Sequence, residues 1–301
     1  MTVLAATDFS DASKNATRLA SNEARRRGDK LVLLHCLESA VDDSPWRHLS
    51  EMSRDPKSKL WKSARTHLQR VYEDAVPARE RPDHVELRVI PEYADDGIRK
   101  VLQEGGIDLV VVGATGSGRV ANFFLGSTAE DIARISPSPV LVVPDNAPSG
   151  PFERIVAPVD FTECSTHSLK RAVELARRDD ALLTIVHGYL LPVTGTTYLP
   201  SQIPPETIQE FEEQRRQRMA DFVDGFDLEG VDWDTVLDVG SPHNVIVDTA
   251  DEQDADLIAM GTHGRRGMRR FFLGSNAVKV LRRMPCSVMT VRTPDSDKPS
   301  D

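Results

Sequence analysis

The sequence predicts an α/β protein of two repeated domains, each a five-stranded parallel sheet with strand order 3-2-1-4-5. Three observations lead there. Short apolar runs alternate with amphipathic stretches along the whole chain, the pattern of parallel strands joined by helices that cover both faces of a sheet. The chain also repeats itself: "VLAATDFSDAS" from Val3 resembles "IVAPVDFTECS" from Ile155, pairing Asp8 with Asp160 at an offset of 152 (160 less 8). Finally, right-handed crossovers with helices on both faces require the strand order to reverse, and ligands of such sheets bind at the reversal. An order of 3-2-1-4-5 makes strands 1 and 4 neighbours, so Asp8 after the first and Gly113 after the fourth meet at one crevice.

The elements follow in order. In the first copy, strands are expected near residues 2–7, 31–36, 85–90, 108–112 and 139–143. In the second they are expected near 154–159, 182–187, 233–238, 256–260 and 287–291. Val110, Val111 and Val112 belong to a continuous apolar run, as befits a strand buried on both faces. Ala12, Ala16, Leu19 and Ala20 keep helical spacing, as do Leu169, Ala172, Val173 and Ala176, and Ser10 suits the N-cap of the first helix. Longer helices are expected near 58–75 and 205–223. His35 and His187 keep the offset of 152, but the glycines 113 and 261 stand 148 apart (261 less 113). The second copy is therefore four residues shorter in between, and the irregular stretches 39–57 and 189–205 are the expected place. A repeat this long is a duplicated domain, since solenoid units run ~20 to 50 residues. The boundary falls in "PDNAPSGP", giving domains over 1–146 and 151–293.

The chemistry lies in a frame that both copies share. "GATGSGRVANFFLGST" from Gly113 and "GTHGRRGMRRFFLGSN" from Gly261 both read G-x2-G-x9-G-S. Glycine lets the backbone turn tightly and approach a ligand. Gly126–Ser127 and Gly274–Ser275 precede apolar helical patterns, and the free N–H groups of a helix start attract a phosphate. One such motif is weak evidence, but two at identical spacing are stronger. No G-K-[ST] follows, so the frame is not a Walker loop. Asp8 and Asp160 read either as turn residues or as acceptors for an adenine or ribose. His35 and His187 read as satisfied core histidines.

Composition narrows the classes. Hydrophobic content of 40% and charged content of 28% fit a globular chain. A formal charge of −10 disfavours a general nucleic-acid partner, which needs a basic face. No apolar run approaches the ~18 to 20 residues of a membrane span. "MTVLAATDFS" does not read as a signal peptide. Cys36, Cys164 and Cys286 are scattered and odd in number, which suits a reducing cytoplasm. No ligand spacing for zinc or calcium appears.

These residues resemble the universal stress protein family in its tandem form. The resemblance rests on "TDFS" and "VDFT" after strand one, "LLH" and "IVH" in strand two, "GATG" and "GTHG" after strand four, and "LGS" beyond. It implies an adenine-nucleotide α-hydrolase-like fold binding ATP, or AMP or ADP, with or without Mg²⁺. By position it implies Asp160 and Gly188 at the adenine, with Asp8 and Cys36 as counterparts. Met260, Gly261, His263, Gly264, Gly274 and Ser275 would then surround ribose and phosphates, matched in the first copy by Val112, Gly113, Thr115, Gly116, Gly126 and Ser127. The second loop carries Arg265, Arg266, Arg269 and Arg270, where the first has Ser117, Gly118, Ala121 and Asn122. A tighter triphosphate site in the second half is therefore expected. The apolar last strand of each copy would form a sheet edge, and the two copies are expected to pair there as a pseudo-dimer within one chain. Homo-oligomers remain open. The leading function is a cytoplasmic, ATP-binding stress-response regulator with a protein partner that the sequence does not name, and no catalytic residues are assigned. The alternatives are a nucleotide-free interaction protein and an ATP-hydrolysing enzyme. An adenylating enzyme would carry a glycine-rich loop after strand one, which "TDFSDAS" and "VDFTECS" lack.

Overall fold

The computed structural model describes residues 1–37, 59–116, 125–191, 204–262 and 273–293. The first half contains β1 (Thr2–Ala6), α1 (Asp11–Arg27), β2 (Lys30–Cys36), α2 (Lys59–Ala75), β3 (Val85–Ile90), α3 (Ala94–Glu104), β4 (Leu109–Gly113), α4 (Ser127–Ile135) and β5 (Val140–Val143). The second repeats it with β6 (Arg154–Pro158), α5 (Glu163–Asp179), β7 (Leu182–Tyr189), α6 (Pro205–Val223), β8 (Trp233–Val239), α7 (Pro242–Glu252), β9 (Leu257–Gly261), α8 (Ser275–Arg283) and β10 (Ser287–Val291). Each half has the order 3-2-1-4-5 with parallel neighbours, as the alternation of elements requires.

The strands form one ten-stranded sheet, β3-β2-β1-β4-β5-β10-β9-β6-β7-β8. β5 and β10 join it as the single antiparallel pair among the described residues, with Leu141 opposite Met289. These two are counterparts in the repeat, so a pseudo-twofold axis passes between them. Val85 and Trp233 pair with Leu31 and Leu183, respectively. The offset thus changes from 152 (183 less 31) to 148 (233 less 85) between the second and third strands of each half. The stretches 39–57 and 192–203 lie in that interval and outside the described residues.

Two apolar cores sandwich the sheet. α1, α2, α5 and α6 cover one face, where Ala16, Leu19, Leu68, Leu169, Ala172 and Met219 are buried. α3, α4, α7 and α8 cover the other through Ile98, Ile132, Val245, Ala277 and Val280. Ser10 accepts from the amide of Ser13 at the start of α1, and Thr162 forms a capping box with Ser165 at the start of α5.

A charged cluster ties the two halves together where α1 meets α5. Arg178 donates to both oxygens of Glu23 at 2.8 and 2.9 Å, and to Asp179 at 2.6 and 2.7 Å. Arg26 reaches Asp179 at 3.3 Å. Glu23 is only 1% exposed, and the hydrogen bonds to both of its oxygens offset the cost of burying it. The repeat counterpart of Glu23 is Leu175, which makes the cluster asymmetric across the pseudo-twofold.

Candidate functional site

The strand order reverses between β1 and β4 in the first half and between β6 and β9 in the second, and sheets of this kind take their ligands in the crevice at that reversal, beyond the carboxyl ends of the strands. The chain builds the wall of each crevice the same way. Asp8 Oδ1 accepts from the amide of Ser10 at 3.1 Å and its hydroxyl at 2.5 Å; Asp160 Oδ1 accepts from Thr162 at 3.2 and 2.5 Å. Phe9 and Phe161 lie between these partners with φ of 67° and 64°, a left-handed backbone that bulky residues rarely adopt. Packing holds them there. The Phe9 ring centroid is 4.2 Å from that of His35, and Phe161 is 4.4 Å from His187. His35 Nδ1 donates to the carbonyl of Thr7 at 2.8 Å and His187 Nδ1 to that of Val159 at 2.7 Å. The two histidines therefore anchor the residue before each aspartate and work as structural clamps. The sequence showed the Phe and His pairs at matched offsets, but nothing in it revealed the left-handed turn that links them.

Opposite this wall runs the glycine segment. A Cβ placed on Gly116 would stand 3.1 Å from Asp8 Oδ2, and Ser10 Oγ lies 3.4 Å from the carbonyl of Thr115. The aspartate turn and the glycine loop thus touch in the first crevice. The end of the frame is fastened to its start: Gly126 N donates to Ala114 O at 2.7 Å, and Gly274 N donates to Thr262 O at 2.7 Å. This bond brings the starts of α4 and α8 beside the loops. Gly126 and Gly274 occupy the N-cap positions without a side chain to cap with, and the helices begin at Ser127 and Ser275. Their first-turn amides carry a partial positive charge. His263 and Gly264, together with the arginines of the second loop, lie outside the described residues.

Several glycines prove to serve packing. A Cβ on Gly113 would meet Ser13 N at 2.8 Å and Ala12 C at 2.9 Å, so this glycine admits α1 against the end of β4. Gly261 does the same for α5, where a Cβ would meet Cys164 Sγ at 2.8 Å. Val112 and Met260 are buried in the core under α3, α4, α7 and α8, so only their backbone borders the crevice. Gly188, the residue before the last of β7, and Cys36, the last of β2, are the expected adenine neighbours and face α7 and α3. A Cβ on Gly188 would lie 2.9 Å from Val245 Cβ, while Gly97, the counterpart of Val245, leaves room for Cys36. The copies have exchanged bulk across this contact: Cys36 with Gly97 in one, Gly188 with Val245 in the other.

At the carboxyl end of β7, Tyr189 packs 5.7 Å from Phe211 between ring centroids. Burial, then the neighbouring Glu212, pushes its phenol up, so it remains a neutral hydrogen-bonding group. Arg218 lies over the Phe161 ring at 4.8 Å. In the first copy His67 covers Phe9 instead, edge-on at 4.6 Å. Among the described residues no group of three His, Cys, Asp or Glu side chains is gathered to hold a metal ion.

This duplicated architecture has relatives. The universal stress protein family model matches residues 1–144 and again 151–292. The chain belongs to the universal stress protein family. A universal stress protein of Methanocaldococcus jannaschii is 33% identical over 147 residues, which cover 48% of this chain and 85% of that protein. The crystal structure of a universal stress protein from Archaeoglobus fulgidus covers 97% of this chain and 98% of its own, with a TM-score of 0.63 at 18% identity. A structure from Pseudomonas aeruginosa, named for the same family, covers 98% of this chain and 94% of its own, with a TM-score of 0.62 at 18% identity. These two share the fold over both halves of this universal stress protein. No described helix is long and apolar enough to cross a membrane.

Proposed function

We propose that this universal stress protein binds an adenine nucleotide, ATP foremost, at the sheet reversal of each half and acts as a stress-response regulator whose partner binding reports the bound nucleotide. The observation that carries the reading is the 2.7 Å bond that docks an open helix start against a glycine loop, made identically in both halves. It creates an anion seat opposite a carboxylate wall, the two ends that a nucleotide needs. In this reading the first-turn amides after Gly126 and Gly274, with the hydroxyls of Ser127 and Ser275, receive the phosphates. Asp8 and Asp160 accept hydrogen bonds from the base or ribose, close to the backbone of Cys36 and Gly188. Gly113, Thr115 and Gly116, and Gly261, His263 and Gly264, line the middle. Mg²⁺ would ride on the phosphate oxygens. The protein acts by binding and not by turnover, in the cytoplasm, with adenine nucleotide as its small-molecule partner. The β5–β10 pairing makes the two halves a pseudo-dimer within one chain.

The test is the nucleotide content of freshly purified protein, released by denaturation and read by chromatography, with calorimetric titration of ATP into the emptied chain. Co-purified purine or a saturable ATP isotherm is expected. A purine-free extract together with no heat of binding at millimolar ATP would leave the protein as a nucleotide-free interaction module.

A further inference from the structure

We propose that the first half carries a second ligand site, separate from its sheet reversal: a cleft between α1 and α2 that takes a small organic anion, a carboxylate or phosphate ester with an apolar body. A cavity of about 560 Å³ lies between these helices. Small-molecule sites run from roughly 300 to 1,000 Å³. Val71 and Ala75, one turn apart on α2, supply its apolar lining. Lys14 and Arg18, one turn apart on α1, and Arg70 on α2 bring three cations to its wall, against the single acid Asp74. Glu80 accepts from Arg18 Nε at 3.0 Å and Nη2 at 3.4 Å, which leaves Nη1 for a ligand. Arg70 uses Nη2 on His67 Nδ1 at 3.2 Å, and Lys14 gives one of its three hydrogens to Asp11 at 2.9 Å. Asp11 and Glu80 are not among the lining residues, so they steady the cations from outside the cavity without exhausting their donors.

The same place in the second half is filled. Buried Leu68 and Tyr72 of α2 match buried Met219 and Val223 of α6, an offset of 151 (219 less 68). His67 and Arg218 keep that offset, and each covers the phenylalanine of its own half. In this register Phe222 stands for Val71 and Phe226 for Ala75. The Phe222 ring packs 5.3 Å from Phe161 and 5.2 Å from Phe226, so two rings occupy the space that valine and alanine leave open. Asp221 stands for Arg70, and Thr166 for Lys14. The half that keeps the cavity is therefore the half that lines it with cations. A mere packing fault gathers no like charges, whose repulsion an anion would relieve. Asn15 also lines the cavity, and its side-chain amide donates to the carbonyl of Asp145, whose Oδ1 accepts from Thr115 Oγ1 at 3.0 Å. Two hydrogen bonds thus link the cavity to the glycine loop of the first crevice, which gives an occupant a route to that loop.

The experiment titrates phenyl phosphate, benzoate, inorganic phosphate and neutral benzyl alcohol into the full chain and follows its amide proton–nitrogen spectrum. Phenyl phosphate and benzoate should give saturable shifts at Lys14, Asn15, Val71 and Ala75. Both should bind more tightly than inorganic phosphate, which lacks the apolar body, and than benzyl alcohol, which lacks the charge. Val71→Phe with Ala75→Phe brings in the rings of the second half and should abolish these shifts. Arg70→Asp, the residue of the second half on an exposed helix face, should weaken phenyl phosphate about tenfold and leave benzyl alcohol unchanged. It decides the matter alone if the double variant does not fold. An affinity that Arg70→Asp leaves unchanged would overturn the site, as would a folded double variant that still binds. Shifts confined to the amides around Gly113 and Gly126 would put the anion in the crevice instead and equally overturn it. So would benzyl alcohol binding as tightly as phenyl phosphate, or no saturable shift with any probe. None of these outcomes depends on whether the crevices hold nucleotide.

Discussion

Gly188→Cys in the second half should destabilise the protein strongly, and Val245→Gly should rescue much of the loss. The Cβ of the new side chain would stand 2.9 Å from Val245 Cβ, 3.0 Å from Pro242 Cα and 3.1 Å from Val245 Cγ2. Two of these atoms are fixed to the backbone of α7 and cannot rotate away, so the helix must lift. Overpacking of this kind costs ~1 to 3 kcal/mol, and rigid neighbours place it near the upper end, at about 2.5 kcal/mol. Val245→Gly alone removes a nearly buried side chain, for ~2 kcal/mol of lost burial plus a few tenths for glycine in a helix. Together the two changes recreate the arrangement of Cys36 against Gly97, in which the sulfur fills the space left by the missing valine. The double variant should then cost about 2 to 3 kcal/mol, some 2 kcal/mol less than the sum of the single changes. Urea unfolding of the four proteins measures that coupling. If the costs add to within about 0.5 kcal/mol, the exchanged bulk between the halves is not a packing complement and the reasoning fails.

Arg178→Met should cost about 3 kcal/mol, because it strips the doubly bonded partner from Glu23 and from Asp179 while both carboxylates stay buried. Adding Glu23→Leu, the residue that its counterpart position carries as Leu175, should restore part of this in thermal unfolding, and a further loss of stability would count against it. Asp179 sets an acid dependence. Burial alone would push its pKa up, but the hydrogen bonds from Arg178 and from the Phe152 amide, with the charges of Arg178 and Arg26, hold it below the ordinary value. A depressed carboxyl contributes fully above the unfolded pKa of ~3.9, and the contribution is lost as the pH falls through the lower folded value. The unfolding midpoint should therefore drop below about pH 4. Asp179→Asn should flatten that slope, and a slope identical in the variant would show that the acid sensitivity lies elsewhere.

The sequence by itself determined the repeat, the alternation of strands and helices, and the order 3-2-1-4-5, because these follow from local periodicity and the handedness of crossovers. It also marked the matched ends of the frame: Asp8 with Asp160 at an offset of 152, and Gly113 with Gly261 at 148 (261 less 113), which a reader can count. It did not reveal what each glycine is for. Gly113 and Gly261 read as loop glycines until the contacts with Ser13 and Cys164 showed them admitting a helix, since the need for a missing Cβ is created by a partner a hundred residues away. The left-handed Phe9 and Phe161 were hidden for the same reason: the histidine ring from the neighbouring strand packs against each in a conformation that local preference opposes. The Glu23–Arg178 lock and the Thr115–Asp145–Asn15 chain likewise exist only when the sheet brings distant charges together. Periodicity is a property of neighbours in the chain, whereas close approach and ion pairing belong to neighbours in space, and those were decided by the tertiary structure.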